Sequence, residues 1–76
     1  MEEIVRLDCR GMKCPRPIIE LAKAARRNAP GTLLEVVADD LAFESDVRAW
    51  CETTGAVLAD LASAGGVWTA RVRLPG

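Results

Sequence analysis

Thiol chemistry is what this 76-residue sequence can offer, because it has no histidine to activate a serine or cysteine and just three cysteines, Cys9, Cys14 and Cys51. Without a neighbouring base, a group that is already anionic is the economical nucleophile. Cys14 has the setting for one. It lies in Leu7-Asp8-Cys9-Arg10-Gly11-Met12-Lys13-Cys14-Pro15-Arg16-Pro17, where a period of two gives way to a helical period. Proline is favoured at the first helical position, so Pro15 sets Cys14 at or next to a helix N-cap. The thiolate is the reactive form, and an ordinary cysteine is mostly thiol at neutral pH. The positive end of the helix dipole, together with Arg10, Lys13 and Arg16, is expected to lower that pKa. Gly11 permits a turn with positive φ, and Pro17 stiffens the first turn and removes a second N–H, leaving the other N–H groups aimed at an anion on the sulfur. The competing reading of Cys14 is an inert small residue beside a cap.

The elements that must position this stretch follow from periodicity. Val5 and Leu7 alternate with Arg6 and Asp8, predicting a strand over about 3–8. A helix follows from about Pro15 to Asn28, with Ile18, Leu21, Ala22 and Ala25 inward and Glu20, Lys23, Ala24, Arg26 and Arg27 outward. Pro30-Gly31 stops it, and the apolar run 33–38 reads as an interior parallel strand. Asp39 or Asp40 is placed to cap a second helix over about 42–54, with Phe43, Val47, Trp50 and Thr54 on one side, Cys51 at its margin, and Gly55 as the left-handed residue after it. Val57, Ala59 and Leu61 alternate as a third strand. Ser63-Ala64-Gly65-Gly66 is a hairpin connection, and Trp68, Ala70, Val72 and Leu74 form a fourth strand with Arg71 and Arg73 opposite. The order is βαβαββ. Right-handed crossovers then give an α/β (α+β) two-layer sandwich, two helices on one face of a four-stranded mixed sheet, as a single domain over 1–76. Ile4, Leu33 and Val37 are expected on the open face as scattered apolar residues.

The run Leu7-Asp8-x-Arg10-Gly11-x-x-Cys14-Pro15-x-Pro17 resembles the signature of the TusA/SirA family of small sulfur carriers. The likeness continues through Pro30-Gly31, Asp39-Asp40, Asp46, Trp50-Cys51 and Gly55, and covers essentially the whole chain. It implies the same two-layer fold and a function: Cys14 accepts a sulfane sulfur as a persulfide, with Arg10, Gly11, Pro15 and Pro17 as the supporting motif, and relays it to an acceptor protein. The implied donor is a cysteine desulfurase or a rhodanese-type enzyme. Leu41 stands where members often carry proline, and Ala56 where they often carry histidine. Transfer RNA thiolation, molybdenum-cofactor sulfuration, sulfur oxidation and selenium handling are all open as the pathway.

Composition sets bounds on the alternatives. Three cysteines, an odd number, disfavour a disulfide framework, and the absence of histidine or a Cys-x-x-Cys pair disfavours a metal site. No cofactor is expected, since Gly11 stands alone where a phosphate loop would need several glycines. No apolar run approaches the ~20 residues of a membrane span, and the acidic Met1-Glu2-Glu3 start lacks the basic region of a signal peptide, so a soluble cytoplasmic monomer is expected. The net charge of −1 conceals a division. Residues 10–27 carry Arg10, Lys13, Arg16, Lys23, Arg26 and Arg27 against Glu20, whereas residues 35–60 carry Glu35, Asp39, Asp40, Glu44, Asp46, Glu52 and Asp60 against Arg48. A basic side around Cys14 suits an acidic protein surface or RNA. Two further readings therefore stay open: a protein- or RNA-binding adaptor using that face, and a thiol-redox regulator pairing Cys14 with Cys9 or Cys51. Cys9 and Cys51 otherwise read as small core residues.

Overall fold

The computed structural model describes residues 3–76; Met1 and Glu2 of the acidic start lie outside the described residues. Six elements follow in the expected order: β1 (Ile4–Cys9), α1 (Arg16–Arg27), β2 (Leu33–Ala38), α2 (Phe43–Thr54), β3 (Val57–Ala64) and β4 (Val67–Arg73). The strands form one mixed sheet in the order β1-β2-β4-β3. β1 and β2 are parallel, while β4 runs antiparallel to both β2 and β3. The β2–α2–β3 crossover thus joins two strands that run the same way but are not neighbours, because β4 fills the gap between them.

Alternation along the strands divides the sheet into a helix-packed face and an open face. Val5, Leu7 and Cys9 pair with Leu34, Val36 and Ala38, and these in turn with Val72, Ala70 and Trp68. This set packs with Leu21, Ala24, Phe43, Val47 and Cys51 of the helices in one core. Leu21, Leu34, Val36, Phe43, Val47 and Val72 are fully buried, and each such side chain contributes about 1.5–3 kcal/mol by leaving water. On the open face, Arg6, Glu35 and Arg71 stand in register across three strands. Glu35 accepts a hydrogen bond from each arginine at 3.0 Å. Burial pushes the Glu35 carboxyl up, but the two arginine hydrogen bonds outweigh it and hold it below the usual carboxylate range. Ile4, Leu33 and Val37 share this face as expected, none of them strongly exposed.

Several details depart from the sequence reading. Pro15 is the N-cap of α1 and not its first helical residue, and the Cys14–Pro15 peptide bond is cis. Helix α1 seats on Pro17, Leu21 and Ala24, so Ala24, expected outward, is buried. The stripe is rotated toward Pro17, and the small methyl of Ala24 suits a close approach to the sheet. In α2, Cys51 belongs to the buried stripe with Phe43 and Val47, whereas Thr54 is exposed. Strand β3 is longer than 57–61, and its register with β4 shifts between Leu58 and Asp60. Ala59 is the extra residue of that bulge, so Leu58 and Leu61, three apart, both pack inward and Val57 is left exposed. The hairpin tightens to Gly65-Gly66, both at positive φ as a type I′ turn requires.

Candidate functional site

The loop from β1 to α1 is tied down at both ends. β1 ends with Cys9 in the core, and the Met12 N–H returns to the Cys9 carbonyl at 3.2 Å. Gly11 has φ of 83°, and its N–H donates to Asp39 Oδ1 at 2.9 Å, joining the loop to the end of β2. Arg10 forks onto Asp8, with Nε and Nη2 each 2.9 Å from a carboxylate oxygen, and the Arg10 N–H adds a third bond to Asp8 Oδ1. That guanidinium holds the Asp8 carboxyl down to about 2. Buried Pro17 fixes the helix side of the loop. Between these anchors Cys14 is exposed, next to the N-cap as the sequence suggested.

The second wall of the site comes from the chain after β2. Asp40 Oδ2 accepts the Ala42 N–H at 3.2 Å and the Asp40 carbonyl accepts the Phe43 N–H, so Asp40 shapes the turn into α2 from just outside its Ala42 N-cap. One turn into α2, Asp46 reaches the thiol: Cys14 Sγ–H donates to Asp46 Oδ2 at 2.9 Å. This contact reverses the expected electrostatics. The hydrogen bond to the Asp46 carboxylate, with a smaller effect of burial and the charges of Asp46 and Asp40, pushes the Cys14 thiol up instead of down.

Two further expectations for the anion fail for local reasons. Arg10 is engaged with Asp8, and Arg16 lies 4.0 Å from Glu20, so neither guanidinium is paired with the sulfur. The first-turn N–H groups are also committed: Arg16 donates to the Lys13 carbonyl, and Ile18 and Ile19 both donate to the Pro15 carbonyl. The basic run in sequence does not make a basic pocket, because the acidic start of α2 folds against Cys14. Trp50 and Ala49 of α2 and Pro15 and Ile18 of the α1 start line, with Cys14, Asp46 and Thr53, an open and largely apolar groove of about 310 Å³. Leu41, almost fully exposed, follows Asp40 at the same end of the fold.

The other two thiols differ. Cys9 is 1% and Cys51 6% exposed, and burial pushes both thiols up. Cys14, Asp40 and Asp46 have donor atoms within 4.8 Å of one another, a mixed set of one thiol and two carboxylates.

The exposed thiol thus sits on the β1–α1 loop, against the start of α2, in a fold of two helices and one mixed sheet. The family model described as sulfurtransferase TusA matches residues 5–74. The chain belongs to the TusA sulfurtransferase family. Two relatives from Neisseria meningitidis, one of serogroup A and one of serogroup B, each bear the name "Putative sulfur carrier protein". Each is 41% identical over 63 residues, covering 83% of this chain and 85% of its own. The family match spans Arg10, Gly11, Cys14, Pro15 and Pro17, which lie on the β1–α1 loop and the first turn of α1.

Sequence reasoning missed the partners from the second half of the chain. Asp39 was legible as a candidate cap, but it serves the Gly11 N–H instead. Asp46 was visible as a position of family likeness and carried no role, because nothing in the sequence shows that residues 32 apart share a hydrogen bond. Trp50 read as a core residue, yet it is half-buried and lines the groove beside the thiol.

Proposed function

We propose that this chain is a sulfur carrier in which Cys14 accepts a sulfane sulfur as a persulfide from a donor protein and passes it to an acceptor protein. One observation carries the choice of residue: Cys14 is the exposed thiol, while Cys9 and Cys51 are enclosed in the core. Family membership and the names of the relatives support the chemistry.

In this reading the loop is a rigid mount. Gly11 makes the turn and bonds Asp39, Arg10 braces Asp8, and Pro15 and Pro17 set the start of α1. Each keeps Cys14 in place for a docking partner, and a fixed thiol reacts faster by avoiding an ordering cost. The apolar walls formed by Pro15, Ile18 and Trp50 suit the soft, polarizable terminal sulfur better than water does. Transfer is then thiol exchange, with its rate set by the attacking thiolate and the leaving group. The donor is of cysteine desulfurase or rhodanese type, as family resemblance suggests, and the chain acts as one TusA-like domain in the cytoplasm. Among the described residues no helix is long and apolar enough to cross a membrane.

Intact mass after incubation with a sulfane-sulfur donor tests this. One added sulfur, removed by reductant, is expected on wild type and on the Cys9→Ser/Cys51→Ser double variant, and none on Cys14→Ser. No gain on wild type, or sulfur spread evenly over three cysteines, would overturn the proposal.

A further inference from the structure

The groups facing Cys14 Sγ are acidic, and one of them touches it. Asp46 Oδ2 lies 2.9 Å from the sulfur, close enough for direct proton transfer, and Asp40 is the second carboxylate of the cluster. Both arginines of this stretch are engaged elsewhere, with Arg10 on Asp8 and Arg16 near Glu20. There is no histidine in the chain to serve as a base. A thiol beside two carboxylates is a poor reservoir of free thiolate, so a site using pre-formed thiolate would be badly built this way. A site that removes the proton during attack would be built like this.

We propose that Asp46 is a catalytic residue of sulfur transfer, the general base that takes the Cys14 proton as the sulfur attacks. This rests on the sulfur-carrier reading above. In the loading step a donor persulfide, R–S–S–H, meets Cys14–S–H. An electron pair on Sγ forms the new S–S bond to the terminal sulfur while the donor's own S–S bond breaks, its electrons going to the donor thiol sulfur. Asp46 Oδ2 accepts the Sγ proton and delivers it to that departing sulfur. The products are Cys14–S–S–H and R–S–H, so two protons and the single S–S bond are conserved and no oxidant or reductant is needed. In the unloading step the acceptor thiol takes the place of Cys14 as attacker, and the proton returns to Sγ through Asp46. Asp40 has a different task, holding the Ala42 N–H and so the start of the helix that presents Asp46.

The test is Asp46→Asn, nearly isosteric and without basicity. Two rates are read on each protein: sulfur loading from glutathione persulfide by intact mass, and alkylation by iodoacetamide, which reports free thiolate. Removing the carboxylate is expected to speed alkylation near neutral pH, because thiolate becomes easier to form, and to slow loading on the order of tenfold or more, because general-base help is lost. The wild-type to variant loading ratio should grow as pH falls from about 8 to about 6, where thiolate is scarcer. Asp46→Glu, which keeps a carboxylate one methylene further out, should recover part of the loading rate. Loading that rises together with alkylation in Asp46→Asn would overturn the proposal, since Asp46 would then merely suppress the thiolate. Should Asp46→Asn lose its native circular dichroism, wild type alone decides: its loading rate and its alkylation rate, each normalised to N-acetylcysteine with the same reagent, are compared, and loading must fall with pH less steeply than alkylation. Parallel slopes would overturn the proposal. Wild type that takes up no sulfur at all would instead refute the carrier reading itself.

Discussion

Phe43→Ala probes how the core supports the site. Phe43 is the first residue of α2 and 1% exposed, and its backbone N–H is held by the Asp40 carbonyl. Asp46, three residues on, sits in the turn that this side chain anchors. Truncating a fully buried phenylalanine costs about 3–5 kcal/mol, from lost transfer energy and the cavity left behind. A domain of 76 residues has a total stability of about 4–11 kcal/mol at the usual stability per residue. Phe43→Ala should therefore remove from about a quarter of it to all of it. With a urea m-value of about 1 kcal/mol/M, the unfolding midpoint should drop by roughly 3–5 M. Phe43→Leu should lose less, because most of the apolar volume stays. Urea titration followed by circular dichroism gives both midpoints, and iodoacetamide gives the site: in Phe43→Ala, Cys14 should alkylate faster under native conditions as the first turn of α2 frays and Asp46 leaves the sulfur. A loss under about 1 kcal/mol with an unchanged m-value would refute the reasoning, since burial of this ring would not be what holds the helix start.

Two further expectations are simpler to check. The Asp8 pKa is lowered from 3.8 to about 2 by Arg10, so this pair stabilises the fold above pH 3.8 and its contribution is lost as pH falls toward 2; Arg10→Ala should return the Asp8 titration, followed by carboxyl NMR, to the ordinary range, and an unmoved titration would count against the fork. Maleimide under native conditions should label Cys14 first, with Cys9 and Cys51 labelled after denaturation; peptide mass mapping that finds native labelling of Cys51 at the Cys14 rate would contradict its burial.

Local signals in the sequence account for most of the framework. The alternation of Val5 and Leu7, the apolar run of β2 and the stripe of α2 each report burial, because apolar period follows element geometry. Where the reading failed, a non-local cause intervened. Ala24 looked like one more exposed small residue, and the seat of α1 on Pro17 decided its burial. Ala59 broke the alternation of β3 through a bulge that depends on how β3 meets β4. At Cys14 the sequence pointed to a thiolate, because Arg10, Lys13 and Arg16 are its neighbours along the chain. Charge acts through space, and its neighbours in space are Asp40 and Asp46.

The sequence by itself determined the element order, the placement of Cys14 next to a helix start and the family likeness, since each is read from periods and motifs that are local along the chain. Strand order, the insertion of β4 between β2 and β3, and the carboxylate on the thiol were decided by the tertiary structure. The physical reason is that periodicity records which side of an element is apolar but not which element covers it. When α2 packs beside α1, it carries Asp46 onto the thiol and closes one wall of the groove with Trp50. The exposed thiol is thus written in one loop, and the acid–base character of its surroundings comes from a helix residue 32 positions away.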